Sequence, residues 1–240
     1  MNWLELARRN FRVMWRDRLS LAVNVGLPVV LLFVLQALQD VDDFFEPTSL
    51  APGVVLFGFA MLTMTSAMSL AQDRETSLFA RLLTTPLRAN DFVLAYSAPY
   101  LAVAAIQAIT VFALAVPLGL GVEGNPIWVV VALTVMAVLY VGAGMLIGAT
   151  VPYKAVTGPW TVLLLLTIFG GTWVNLEDIG GAFERVAAVF PFAHALDAMR
   201  GVLVDGAALG DIAGDLVWVA SYTLVVAVLS VVVFRHRMAE

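Results

Sequence analysis

The chain contains no cysteine. That excludes a disulfide framework, a thiolate metal site and a cysteine nucleophile together. It is also poor in charge: only 13% of its 240 residues are Asp, Glu, Lys or Arg, where soluble domains carry about 25%. No ionisable side chain sits near the middle of a long apolar run. Proton-driven carriers use such groups as relays, so their lack argues against that class. No G-x-x-x-x-G-K-[S/T] stretch is present, so the phosphate-cradling loop of an ATPase is missing. His194 and His236 stand far apart and no H-E-x-x-H spacing occurs; His194 reads as an interfacial residue rather than a metal ligand. No motif supports Ser-His-Asp catalysis, which makes an intramembrane enzyme a poor reading.

What the chain has in abundance is apolar length. Hydrophobic residues make up 61% of it, and the mean hydropathy is +0.93. Six runs reach the ~20 residues needed to cross a ~30 Å hydrocarbon layer. They are 19–38, 52–71, 91–118, 126–151, 158–174 and 215–234. The third and fourth are long enough to tilt or project, and the fifth ends in Gly170-Gly171. The first is expected to remain as a span, being longer than a signal-peptide core and followed by no clear A-x-A site.

The basic residues are sorted by side. With the N-terminus inside, eleven of the thirteen Lys and Arg residues fall on that side, leaving Arg185 and Arg200 outside. This bias places both termini in the cytoplasm. Twelve of the 18 acidic residues fall outside, so the net charge of −5 hides two faces of different character.

Between the first two cytoplasmic features and the spans lies more pattern than topology requires. Residues 3–18 repeat Trp3, Leu4, Ala7, Phe11, Met14 and Trp15 at helical spacing, with Glu5, Arg8, Arg9, Arg12 and Arg16 opposite. The pattern predicts a helix lying in the plane of the anionic cytoplasmic leaflet; the plainer alternative is a basic stop that orients the first span. The second span carries Thr63, Ser66, Ser69 and Gln72 at three-residue steps, either a packing face or the lining of a pathway. The fourth carries Gly144-x-x-x-Gly148, a spacing that predicts close helix approach. Between 177 and 204, two short apolar-periodic pieces flank Pro191 and predict a hairpin that dips into the outer leaflet. In its second piece Asp197 and Arg200 are placed to pair at i, i+3.

The loop after the second span has its own amphipathic order. In a helix over about 74–85, Leu78, Phe79, Leu82 and Leu83 share one face, Arg74, Glu75 and Arg81 point elsewhere, Asp73 is positioned to cap the start and Pro86 stops it. So short a helix is marginal alone in water, which predicts that a partner or the bundle holds it.

These features, in this order, resemble the membrane-spanning permease subunit of type 2 ABC transporters. The segment Arg74-Glu75-Thr76-Ser77-Leu78-Phe79-Ala80-Arg81-Leu82-Leu83-Thr84-Thr85-Pro86-Leu87 is similar to the family pattern E-R-E-x-G-T-L-E-R-L-L-x-T-P-L, with Ser77 and Phe79 where Thr and Glu are common. Residues Pro191 to Gly201 resemble N-P-x-x-Y-x-x-x-x-x-R-G, with His194 near the outer proline. The resemblance implies an all-α integral membrane fold: six transmembrane helices, an N-terminal elbow helix, a cytoplasmic coupling helix and an outer hairpin. It implies that Asp73, Arg74, Glu75, Leu78, Phe79, Arg81, Leu82 and Leu83 engage a separate nucleotide-binding ATPase subunit, which would bind ATP and Mg; this chain would need no cofactor or metal and bind no nucleic acid. It further implies a second permease copy, identical or not, and a pathway lined by spans one, two and five that exports an amphipathic drug, lipid or glycolipid-like substrate. The rival reading is a membrane anchor or assembly subunit with no pathway.

Overall fold

The computed structural model describes residues 3–76, 88–174 and 176–239, the side chains at 177, 178 and 237–239 excepted. Every described element is helical. In chain order they are α1 (Trp3–Arg16), α2 (Arg18–Gln36), α3 (Pro47–Arg74), α4 (Ala89–Ala115), α5 (Pro126–Thr150), α6 (Thr157–Thr167), α7 (Leu176–Ile179), α8 (Gly181–Ala187), α9 (Pro191–Val204) and α10 (Leu209–Ala239). Six of these, with short extensions, are long and apolar enough to span a membrane: α2, α3, α4, α5, α6 and α10.

The helix boundaries follow local chemistry. Asp17 caps α2 by accepting the Ser20 N–H at 3.1 Å and its hydroxyl at 2.6 Å. Asn125 caps α5 through the Ile127 N–H, with Pro126 at the first helical position. Pro191 starts α9 in the same way, after a 93° bend from α8. The second span is longer than its apolar run: it begins at Pro47 and continues through Gln72, Asp73 and Arg74. Span five ends early as an α-helix and closes in a π turn, Ile168–Thr172, where Gly171 takes φ 93°. A side chain at Gly171 would be strained, and a Cβ at Gly170 would come within 2.7 Å of the Phe192 Cβ, which together explain the glycine pair.

Helix α3 is the axis of the bundle and packs against α2, α4, α5, α6 and α9. Its closest neighbour is α5, and two sequence features turn out to be the two sides of that seam. Thr63 donates to the Tyr140 carbonyl at 2.9 Å as well as to Phe59 within its own helix. Ser66 donates to the Thr63 carbonyl and lies against Gly144. A Cβ at Gly144 would overlap the Ser66 hydroxyl, and one at Gly148 would come within 2.6 Å of the Ala67 carbonyl. Small residues on both faces let the backbones approach, and the Thr63 hydroxyl bonds across the gap while that of Ser66 is satisfied within α3; in lipid, this packing replaces the hydrophobic drive that water would supply. Gly58 does the same on the other side, where a Cβ would collide with Gln107 of α4 and Pro28 of α2.

Helix α1 differs from expectation in one respect. Its apolar residues do not form one face. Leu6, Ala7, Asn10 and Met14 are buried, mostly against α4, whereas Leu4, Phe11 and Trp15 are exposed beside them, with Phe11 and Trp15 stacked at 6.1 Å. Arg8, Arg12 and Arg16 occupy the exposed polar side. One apolar stripe touches protein, one is exposed, and the third side is charged.

Candidate functional site

The last turn of α3 is where the bundle's polar chemistry concentrates. Three consecutive residues there reach three different parts of the fold. The Asp73 carboxylate accepts from Arg9 of α1, at 2.7 Å to one oxygen and 3.3 Å to the other. The Tyr96 hydroxyl of α4 donates to it at 2.7 Å. Arg74 donates to the Gly148 carbonyl of α5 at 2.7 Å. That carbonyl belongs to the last turn of α5, which has no helical partner for it, so a cation here both fills an empty acceptor and suits the helix dipole. The Glu75 carboxylate accepts the Tyr153 N–H at 2.8 Å, in the turn that leads into α6.

The Arg9–Asp73 pair is partly shielded, with 32% and 19% of the side chains exposed. Hydrogen bonds to the Asp73 carboxylate hold the Arg9 guanidinium more firmly protonated than a free arginine, against the opposing effect of burial. Asn10 reinforces the join by donating to the Ala95 carbonyl of α4 at 3.1 Å. Helix α1 is thus bolted to the ends of α3 and α4.

Among the residues expected to engage an ATPase, Asp73, Arg74 and Glu75 are placed here. Asp73 stands within α3 rather than ahead of a new helix, because the carboxylate finds Arg9 and Tyr96 and the helix runs on to Arg74. Leu78, Phe79, Arg81, Leu82 and Leu83 lie outside the described residues, as does Pro86. Of the hydroxyl stripe, Thr63 and Ser66 are fully buried in the α3–α5 seam, while Ser69 borders a cavity beside α2. Sequence reasoning named Arg9 and Gly148 for other reasons and missed Asn10, Tyr96 and Tyr153; it assigned none of the five to this junction. Tyr96 carried a signal: a tyrosine near the charged end of an apolar run usually has a partner for its hydroxyl.

The opposite end of the molecule has its own ties. His194 of α9 places Nδ1 2.6 Å from Asp215 of α10 and Nε2 2.8 Å from the Ala188 carbonyl. Trp218 and Tyr222 of α10 both donate to the Val189 carbonyl, at 3.3 and 2.7 Å. Together they fasten the bend between α8 and α9 to the last span. Arg200 does not rely on Asp197 alone. Its Nε donates to the Ser49 carbonyl at 2.9 Å and its guanidinium lies 4.7 Å over the Phe44 ring, while Asp197 acts on it electrostatically. This joins α9 to the first turn of α3.

Apolar helices of membrane-spanning length are thus cross-tied at one end of the bundle through the last turn of α3. The comparisons with known proteins agree with that architecture. Residues 1–204 match the family model described as ABC-2 type transporter. The chain is also similar to Nodulation protein J of Rhizobium leguminosarum bv. viciae, at 23% identity over 250 residues, covering 99% of this chain and 95% of that protein. Members of the family are the membrane-spanning components of ABC transporters, not their ATPases, and work with an ATPase subunit. This chain belongs to the ABC-2 type transporter family.

Proposed function

We propose that the chain is the permease of an ATP-driven exporter in the cytoplasmic membrane, with both termini inside, working as two permease copies with two ATPase subunits. The substrate is amphipathic: a drug, a lipid or a glycolipid-like molecule. The partner docks on the segment after α3, with Leu78, Phe79, Leu82 and Leu83 as its apolar seat and Arg81 at the rim. ATP and Mg bind to the partner.

One observation carries this reading. Asp73, Arg74 and Glu75, directly before that segment, connect the end of α3 to α1, α4, α5 and the turn before α6. A push on the loop is delivered to the whole cytoplasmic end of the bundle, not to one helix. An anchor without a pathway has no use for such a junction. The exposed apolar residues of α2, α6 and the π turn after it, among them Phe33, Val34, Leu165 and Phe169, give a second copy a surface to pack on. Exposed Arg8, Arg12 and Arg16 beside Trp15 and Phe11 suit an elbow at the headgroup layer.

Co-expression with the ATPase, purification and reconstitution test it. The chain is expected to bring down the ATPase and raise its turnover. Leu82→Asp and Arg81→Glu are expected to abolish coupled transport while leaving the chain inserted. Normal transport by both variants overturns the docking assignment; failure to retain any ATPase favours the anchor.

A further inference from the structure

A cavity of about 450 Å³ opens between α1, the start of α2 and the lower half of α3, next to the Asp73 junction. Its walls are of two kinds. Met61, Met64 and Met68 of α3 form the apolar floor with Val23 of α2, all of them half-buried or exposed. Methionine is flexible and polarisable, and surfaces made of it re-pack around ligands of different shape. The rim is polar, with Asn24, Thr65 and Ser69.

Three ionised side chains line the cavity: Arg9, Asp73 and Asp17. The first two neutralise each other through a two-point contact. Asp17 is left over. Its carboxylate accepts only the Ser20 N–H and hydroxyl, and it has no cationic partner among the described residues. Those bonds hold it below the usual carboxylate range, so it stays ionised. Arg16 and Arg18 flank it in sequence, but they are exposed and do not line the cavity. At the membrane surface their charge meets headgroups and counter-ions.

We infer that this cavity is a loading site for amphipathic cations, whose apolar body lies on the methionine floor and whose positive group faces Asp17. The position, between the elbow and the cytoplasmic half of the second span, lets such a molecule enter from the inner leaflet. The role as a loading site rests on the transport reading; the binding does not, and it is measured on the chain alone.

Tetraphenylphosphonium and tetraphenylborate have nearly the same shape and opposite charge. Equilibrium dialysis of each against the purified full-length chain in detergent micelles, with empty micelles subtracted, gives the two affinities. Tetraphenylphosphonium is expected to bind saturably and more tightly than tetraphenylborate, by up to about fivefold, about the most that an exposed charge supplies. Asp17→Asn keeps the helix cap, since Asn caps as well as Asp, and is expected to weaken the cation by up to about fivefold while leaving the anion no weaker. Met64→Trp, which fills the floor, is expected to weaken both. The inference is overturned if the borate binds as tightly as the phosphonium, if Asp17→Asn leaves the cation's affinity unchanged, or if Met64→Trp affects neither. Cation binding without ATPase stimulation would sink the transport reading and leave the site standing.

Discussion

Removing the Asp73 charge is the sharpest perturbation of the junction at the end of α3. Asp73→Asn keeps the shape but leaves the Arg9 guanidinium half-shielded without its counter-charge, and weakens the acceptor for Tyr96. A hydrogen bond to a charged partner contributes about 1.5–3 kcal/mol, while fully exposed pairs contribute at most about 1 kcal/mol. With 32% and 19% of the two side chains exposed, the pair falls between these limits, so a coupling energy of about 1–2 kcal/mol is expected after discounting for screening. A double-mutant cycle of Arg9→Gln and Asp73→Asn measures it, by reversible unfolding of the purified chain in mixed micelles. Each single variant should cost about 2 kcal/mol, and the double variant clearly less than their sum, because the uncompensated charge is gone. Strict additivity would show that the two side chains do not interact, and α1 would lose its link to the second span.

Other variants probe the rest of the frame. Gly148→Ala should cost about 1–3 kcal/mol, since its Cβ would meet the Ala67 backbone at 2.6 Å and neither helix can yield without moving; Gly26→Ala, with open space around it, should be neutral or stabilising by up to about 1 kcal/mol, and the same unfolding assay compares them. Tyr96→Phe should cost about 1 kcal/mol by losing one donor to Asp73. His194→Ala should speed amide exchange across 181–190, because both ring nitrogens face oxygen acceptors that hold the bend to α10 and Ala188; unchanged exchange there would mean that Trp218 and Tyr222 suffice.

The apolar runs made the six spans legible, because hydrocarbon thickness sets a length that composition alone can satisfy. Their ends were less so. The second span, α3, extends past its apolar run since Asp73 and Arg74 are satisfied by neighbours 64 and 74 residues away, and such partners leave no local mark. The hydroxyl stripe and the Gly144-x-x-x-Gly148 spacing were both visible, yet nothing in the order of residues says that they face each other. The arginines of α1 look alike in a helical pattern; only the arrival of α3 singles out Arg9. For the same reason the apolar side of α1 could not be divided into a protein-facing and a lipid-facing stripe, because hydrophobicity does not distinguish lipid from protein as a neighbour.

The central claim is that the loop after α3 is the seat of the motor subunit. Leu82→p-benzoylphenylalanine, photolysed in membranes that contain the partner ATPase, tests it at one position. The account predicts a cross-link to the ATPase from residue 82 and none from the same substitution at Val34, an exposed apolar position on α2. A cross-link from residue 82 only to this chain or to lipid would contradict it.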